Sequence, residues 1–374
     1  MLPACFRMIS RQYYLSKFPL FCTGPRGHTT ADQLTTNFTD FTDTEGKLEW
    51  GPSVSSVRSV GKIPESSCGG AALLLLAMCT TLVASVTAAA PTVLPLWPEG
   101  VPNARPEIGP EQVDAGGKVT RITEPTLTLI APAIDRPNGT AVIICPGGGY
   151  TGLSRQREGF QYANWLSTLG VTSFVLTNRV GDFGHPAPLQ DVLRALRLVR
   201  SRAAEFQIDP SRIGVMGSSA GGHLAACAGT LFDHLSGKTG APLDAVNARP
   251  DFLILMYPVI TLDDPFAHAG SRRNLLGEHP APELLHLLSV EKQVTAATPP
   301  TLLIHTQEDQ SVPVENSILF FQALTRAHVP AEMYLFEHGG HGMGLRDGLG
   351  TASDWPKRAE EWLRTRGLLT PAKP

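Results

Sequence analysis

Residues 212–224 read RIGVMGSSAGGHL, an apolar run that breaks on glycine and serine and resumes as small, helix-compatible residues. The pattern predicts a strand over 212–216 and a helix over 220–232, joined by Gly217-Ser218-Ser219-Ala220-Gly221. A G-x-S-x-G pentapeptide at a strand-to-helix turn lifts its central serine out of the sheet edge, and the glycines let the crowded backbone turn. The helix N-terminus behind it supplies partial positive charge where an oxyanion would form. Ser219 is therefore the expected nucleophile, on an exposed tip. The competing reading is a tight βα turn without chemistry.

Outward from this turn, strand and helix patterns alternate. Residues 126–130 alternate apolar and polar with the period of a half-buried strand. Solid apolar runs at 140–145, 171–176, 252–257 and 301–305 predict buried strands, and 331–336 reads as a further strand. Helical spacing occurs at 159–169, 189–206, 317–327 and 354–365. The expected architecture is α/β, a mostly parallel central sheet with helices on both faces. Residues 263–298 interrupt the alternation with Pro, His, Arg and short helical pieces, as a small cap inserted at the strand ends would.

A serine nucleophile needs a base and a group to orient it, in the chain order Ser, acid, His. The strand at 301–305 runs into Glu308 and Asp309, and the strand at 331–336 runs into His338 and His341. Asp309 and His341, the latter between Gly340 and Gly342, are the expected pair. Glu308 and His338 are expected as solvated or supporting neighbours, and His305, inside its strand, as a core histidine with satisfied partners.

Residues 146–150, Pro-Gly-Gly-Gly-Tyr, follow the strand at 140–145 directly. An oxyanion needs two convergent backbone N–H groups, and side-chain-free backbone approaches a substrate most closely. Ala220 is the expected first donor and Gly148 or Gly149 the second, with Tyr150 as a wall of the acyl pocket. In the cap-like insertion, His268, Ser271, Arg272 and Arg273 carry donors suited to sugar hydroxyls; His268 and Arg272 are taken as substrate-binding. Gly147, Gly149 and Gly152 also match the dinucleotide fingerprint G-x-G-x-x-G. That reading needs an acidic residue at the end of the next strand, and the sequence there is Thr177-Asn178-Arg179.

The composition is that of an ordinary globular chain: 42% hydrophobic, 17% charged, and a net charge of −3 from 31 basic and 34 acidic side chains. There is no basic tract interleaved with aromatics, so a nucleic-acid partner is not expected. Cys145 and Cys227 sit in apolar runs and read as small buried hydrophobes. No C-x-x-C pair suggests a metal or redox site. The N-terminal 90 residues are expected to stand apart from a catalytic domain over 91–374. Within them, residues from about 67 to 90 resemble a secretory signal, with an apolar core followed by a small-residue cleavage site. The expectation is a chain whose translation starts downstream of Met1 and which is secreted or periplasmic, without stable membrane association after cleavage. A membrane anchor is the other reading.

Taken together, ICPGGGY, HPAPLQD, GVMGSSAGGHLAA, PVI, HAGSRRNLLGE, EDQSVPVENS and EHGGHGMGL resemble a branch of the α/β-hydrolases. It contains acetyl xylan esterases and feruloyl esterases and is related to the dienelactone-hydrolase and prolyl-oligopeptidase-like enzymes. The likeness runs over about residues 94–363. It implies the α/β-hydrolase fold, Ser219, Asp309 and His341 as a triad, no cofactor and no metal. It also implies a small-molecule or polysaccharide ester substrate, with acetylated xylan or its oligosaccharides foremost. Feruloyl or other small-acyl esters and peptides remain as alternatives. A lipase would want a more apolar lid, and no propeller repeat of the larger peptidases is present. Arg157 stands where relatives often carry His before Glu-Gly.

Overall fold

The computed structural model describes residues 91–134 and 137–371. The signal-like run and everything before it fall outside the described residues. In chain order come β1 (Thr92–Pro95), a small antiparallel pair β2 (Gln112–Val113) and β3 (Val119–Thr120), β4 (Thr126–Ile130) and β5 (Ala141–Cys145). A π-helical turn, Gln156–Phe160, leads into α1 (Gln161–Thr168), β6 (Thr172–Thr177), α2 (Ala187–Ser201), β7 (Ile213–Ser218) and α3 (Ala220–Thr230). After β8 (Phe252–Met256) the insertion supplies α4 (Ala269–Leu276) and α5 (Pro282–Leu288). The chain closes with β9 (Thr301–Thr306), α6 (Glu315–Arg326), β10 (Ala331–Phe336) and α7 (Trp355–Thr365).

Eight of these strands form one sheet in the order β1-β4-β6-β5-β7-β8-β9-β10. From β6 to β10 every pairing is parallel; only β1 with β4 and β4 with β6 are antiparallel. Strands such as AVIIC in β5 and FLILM in β8 are buried along their whole length. A run with no polar face needs cover on both sides, and the helices provide it. Leu189 and Leu196 of α2, Leu224 of α3 and Phe320 of α6 close one core, while Tyr162 and Leu166 of α1 and Trp355 and Trp362 of α7 close the other. This is the α/β-hydrolase fold that the sequence implies.

Parallel strands all end at one edge of the sheet, so the loops after β5, β7, β8, β9 and β10 gather there. The register fixes their spacing: Cys145 pairs with Gly217, and Ser218 with Met256.

Two expectations shift. The helix expected over 189–206 begins earlier and stops at Ser201. Gln207 takes a left-handed φ of 55°, and the turn brings Phe206 edge-on to Phe174 at 5.0 Å between centroids. Phe206 thus packs on β6 from beyond the end of the helix. The strand 126–130 is also more covered than half-buried, since Leu127 and Thr128 are both shielded.

Arg179, noted in the sequence for the acid it replaces, is wholly buried at the end of β6. Its guanidinium meets Asp191 of α2 at 2.8 Å, with both side chains at 0% exposure. Asp191 also accepts from the Trp97 indole at 2.8 Å and from the Arg179 backbone N–H at 2.8 Å. The pair thus ties β6, α2 and the segment after β1 into one unit. Removing one partner strands the other charge in the interior, which typically costs about 3–5 kcal/mol. Asp191→Asn is expected to lower the free energy of unfolding by about that amount, read from the denaturant midpoint. An unmoved midpoint would show that the pair is not what ties these elements together.

Candidate active site

The turn between β7 and α3 holds Ser219 at φ 55°, ψ −123°, in the left-handed region that side chains rarely adopt. Contacts on both sides keep it there. Its N–H donates to the Met256 carbonyl at 3.0 Å, and its own carbonyl accepts from Val259 at 3.0 Å and His223 at 3.1 Å. A Cβ on Gly217 would overlap the Gly221 carbonyl, and one on Gly221 would overlap that of Cys145. A Cβ on Gly222 would come within 2.7 Å of Pro258. Backbone packs directly on backbone, so only glycine fits these positions. The Ser219 hydroxyl makes no cap bond to its own helix and is free for another partner.

That partner is His341. Its Nε2 lies 2.9 Å from Ser219 Oγ, and its Nδ1 lies 2.7 Å from Asp309 Oδ2. With Asp309 ionised, Nδ1 carries the proton and donates to the carboxylate, leaving Nε2 to accept from the serine. Asp309 is held from several sides. Its Oδ1 accepts from the N–H groups of Ser311 and Val312, each at 2.9 Å, and His305 Nε2 approaches Oδ2 at 3.3 Å. Burial works to raise the Asp309 pKa, but the hydrogen bonds from His305, His341 and Val312 outweigh it and hold the carboxyl below the ordinary range.

Of the ambiguous neighbours, Glu308 and His338 pair with each other at the surface, 2.7 Å apart. His305 is fully buried and has its own partners, Ser317 Oγ at 2.8 Å and the Val312 carbonyl at 3.1 Å. Its position four residues before Asp309 was the available signal that it would also brace that carboxylate.

The glycine turn after β5 lies across from Ser219. A Cβ on Gly147 would come within 3.0 Å of Ser219 Cβ, and Gly148 and Gly149 take φ of +143° and +63°. Among the described residues, the N–H groups of Gly148, Gly149 and Ala220 have no partner in the protein, as donors reserved for a developing oxyanion would. Gly152, the last glycine of the dinucleotide-like pattern, is accounted for by packing, since the Val119 carbonyl would sit 2.5 Å from its Cβ. No cluster of three or more His, Cys, Asp or Glu suited to a metal ion occurs among the described residues.

Three expectations need correction. Ser219 is not on an exposed tip; it is 6% exposed, with the Gly147 backbone against its Cβ and the His341 ring on its hydroxyl. Tyr150 is 4% exposed, and its hydroxyl lies 2.7 Å from His223 Nδ1. His223 is buried, which pulls its pKa down to about 4, and its Nε2 bonds the Leu288 carbonyl at 2.8 Å. Tyr150 thus braces the glycine turn onto α3 and the insertion and presents little surface to an acyl group. Arg272 turns back into the insertion, to the Leu262 carbonyl at 3.2 Å and Asp264 at 3.3 Å. His268 is the residue of that group laid against the turn, with Cε1 3.9 Å from where a Gly149 Cβ would be. Its Nδ1 accepts from the Ser271 N–H at 3.1 Å, capping α4 and leaving Nε2 as the donor. Asn274, unnoticed in the sequence, donates to the Gly149 carbonyl at 2.7 Å. Arg157 is exposed, its stem 3.4 Å from a Gly344 Cβ position in the loop after His341. Cys145 and Cys227 are both buried and unpaired.

A strand-to-helix serine, a histidine and a carboxylate at three strand ends, and a glycine turn opposite define the serine-hydrolase class of the α/β-hydrolase fold. The sequence profile of the BD-FAE family matches residues 127–324. The chain belongs to that family of α/β-hydrolase esterases. It is 34% identical over 215 residues to an acetylxylan esterase of Xylanibacter ruminicola, a match covering 56% of this chain and 42% of that protein. It is 38% identical over 206 residues to endo-1,4-beta-xylanase B of Butyrivibrio fibrisolvens, covering 54% and 32%. The chain thus spans less than half the length of these curated relatives. Among solved structures, an acetyl ester-xyloside bifunctional hydrolase from Caldicellulosiruptor lactoaceticus superposes with a TM-score of 0.66 at 42% identity, covering 74% of this chain and 97% of that one.

The two acid–histidine pairs make a direct test. His341→Ala and Asp309→Asn are expected to lower kcat for ester hydrolysis by about 10⁴-fold. His338→Ala and Glu308→Gln should stay within about twofold, since their exposed pair is screened by solvent. Comparable losses from both pairs would contradict the geometry.

Proposed function

We propose that this chain is a serine carboxylic-ester hydrolase that removes acetyl groups from xylan or xylo-oligosaccharides. The observation that carries the reading is the continuous hydrogen-bonded line from Ser219 through His341 to Asp309, opposite unpartnered N–H groups. In the proposed mechanism His341 Nε2 takes the Ser219 proton as Oγ attacks the ester carbonyl. The N–H groups of Ala220 and Gly148 or Gly149 hold the oxyanion, and Asp309 stabilises the imidazolium. As the tetrahedral intermediate collapses, His341 returns the proton to the departing sugar hydroxyl. Water, deprotonated by the same histidine, then frees acetate and restores the serine.

The xylan assignment rests on the relatives and on the surroundings of the turn. Two clefts of about 340 Å³ each share Gly181, Asp182, Arg273 and Asn274, and Tyr150 and Thr151 complete one of them. Carboxylate, guanidinium, amide and hydroxyl groups on one wall match the vicinal hydroxyls of a sugar better than an acyl chain. His268 Nε2 adds a donor beside Gly149. A polymer outside the cell also agrees with export directed by residues from about 67 to 90. N-terminal sequencing from the native host tests this: a mature chain starting near Ala89 or Ala90 supports export, and one retaining Leu73–Leu76 opposes it.

Ser219→Ala is expected to lower ester hydrolysis by about 10⁴–10⁶-fold while the folded state persists. On a panel of acetyl, butyryl, feruloyl and peptidyl substrates, acetylated xylo-oligosaccharides should give the highest kcat/KM. Arg273→Ala should raise KM for those oligosaccharides and leave p-nitrophenyl acetate untouched. Preference for peptidyl or feruloyl substrates would move the enzyme to another branch.

A further inference from the structure

Beneath the reacting serine lies a carboxylate that the mechanism above does not use. Glu158 sits on the π-helical turn Gln156–Phe160 and is 5% exposed. Single π-turns insert one extra residue into a helix and are common at functional sites. Its Oε2 accepts from the Gly147 N–H at 2.8 Å, and its Oε1 accepts from the Tyr257 hydroxyl at 2.8 Å. Gly147 is confined by it, since a Cβ there would come within 2.6 Å of Oε2.

The other side of this carboxylate reaches the base. Tyr257 follows β8 with a left-handed φ of 35°, and its ring meets His341 edge-on with centroids 5.0 Å apart. Such non-glycine outliers persist only where surrounding contacts impose them, and Ser219 and Tyr257 both carry one while each lies against His341. Behind Tyr257, Tyr162 Oη lies 3.3 Å from its hydroxyl, and Ser218 Oγ lies 3.3 Å from Tyr162 Oη. If Tyr257 donates to Glu158, then Tyr162 donates to Tyr257 and Ser218 to Tyr162. Every hydroxyl in the line then points its proton toward Glu158, which is the arrangement an ionised carboxylate favours.

The charge itself is the anomaly. Among the described residues no Lys, Arg or His forms an ion pair with Glu158. Burial pushes its pKa up, and the hydrogen bonds from Tyr257 and Gly147 oppose that without cancelling it. A buried unpaired carboxylate is costly, whereas a glutamine could keep both contacts without charge, accepting from Gly147 and donating to Tyr257. The charged and titratable groups around it are Tyr162 from α1, Tyr257 after β8, His341 after β10 and the exposed Arg157 on its own turn. Of these, His341 is the one that becomes positive during the reaction.

We propose that Glu158 is a positioning residue for the reaction, acting through two contacts and one charge. Through Gly147 it sets the glycine turn that offers the oxyanion N–H groups. Through Tyr257 it sets the ring on which His341 rests. Its negative charge, together with that of Asp309, stabilises the imidazolium formed as Ser219 attacks. The proposal rests on the esterase reading and assigns a role to a residue outside the Ser219–His341–Asp309 line.

Glu158→Gln separates charge from shape, because the amide can accept from Gly147 and donate to Tyr257. With p-nitrophenyl acetate, kcat is expected to fall by about 10- to 100-fold with KM within about twofold. The acid limb of the kcat/KM profile should move to lower pH, because a carboxylate that favours the protonated imidazole has gone. The melting temperature should hold or rise. Tyr257→Phe, which keeps the ring against His341, should lower kcat in the same direction, and the double variant should be no worse than the poorer single one. Wild-type kcat in Glu158→Gln overturns the proposal. So does a loss of kcat that comes with a lower melting temperature and an unmoved acid limb, since that is a folding role alone. A wild-type protein that fails to hydrolyse p-nitrophenyl acetate or acetylated oligosaccharides instead overturns the esterase reading, and this proposal falls with it.

Discussion

The rest of the site depends on how closely the backbone after β5 approaches the backbone after β7. The Gly221 Cα faces the Cys145 and Pro146 carbonyls with no room for a side chain, and Gly147 faces the Ser218 carbonyl in the same way. Parallel pairing of β5 with β7 sets this distance, and Gly147 and Gly221 make it sterically possible. From it follow the left-handed Ser219, the opposed unpartnered N–H groups, and the narrow gap in which a carbonyl carbon would meet Oγ. A single methyl group at Gly217 or Gly221 would have to move main chain, which a close-packed interior resists.

Around this turn, electrostatics is arranged in depth. Asp309 is kept ionised by several hydrogen bonds and faces the one histidine of the site that bonds the serine. His223, only four residues after Ser219, is kept neutral by burial and serves as a bracket between Tyr150 and Leu288. The same side-chain type therefore does two jobs, decided by access to water and by the partner on each nitrogen. At the surface, Glu308 and His338 repeat the acid–histidine pairing in solvent, where the serine is out of reach.

The insertion after β8 contributes less by charge than by contact. His268 caps α4 and meets the glycine turn, and Asn274 bonds the Gly149 carbonyl. Whatever sugar or acyl group the enzyme takes, the insertion and the oxyanion turn are one mechanical unit. Variation in α4 would be felt at the reacting centre as well as in substrate choice.

Much of this was readable from the sequence. The fold class, most strand positions, Ser219, and the choice of Asp309 and His341 over their neighbours follow from local signals: apolar period, glycine placement and chain order. Such signals survive because strand, helix and turn preferences act over a few adjacent residues. The sequence erred on properties that depend on what lies opposite. Ser219 is packed because Gly147 and His341 cover it; Tyr150 faces inward because His223 accepts its hydrogen bond; Arg272 is taken by Asp264. Glu158 lies just before the helical spacing at 159–169 and is marked only as the Glu of a Glu-Gly pair; the fold alone sets it against Gly147, about ten residues away, and Tyr257, about a hundred. The sequence by itself determined which residues could do this chemistry. The tertiary structure decided which of them face one another, because contacts between distant segments are set by sheet order and core packing and leave no period in the chain.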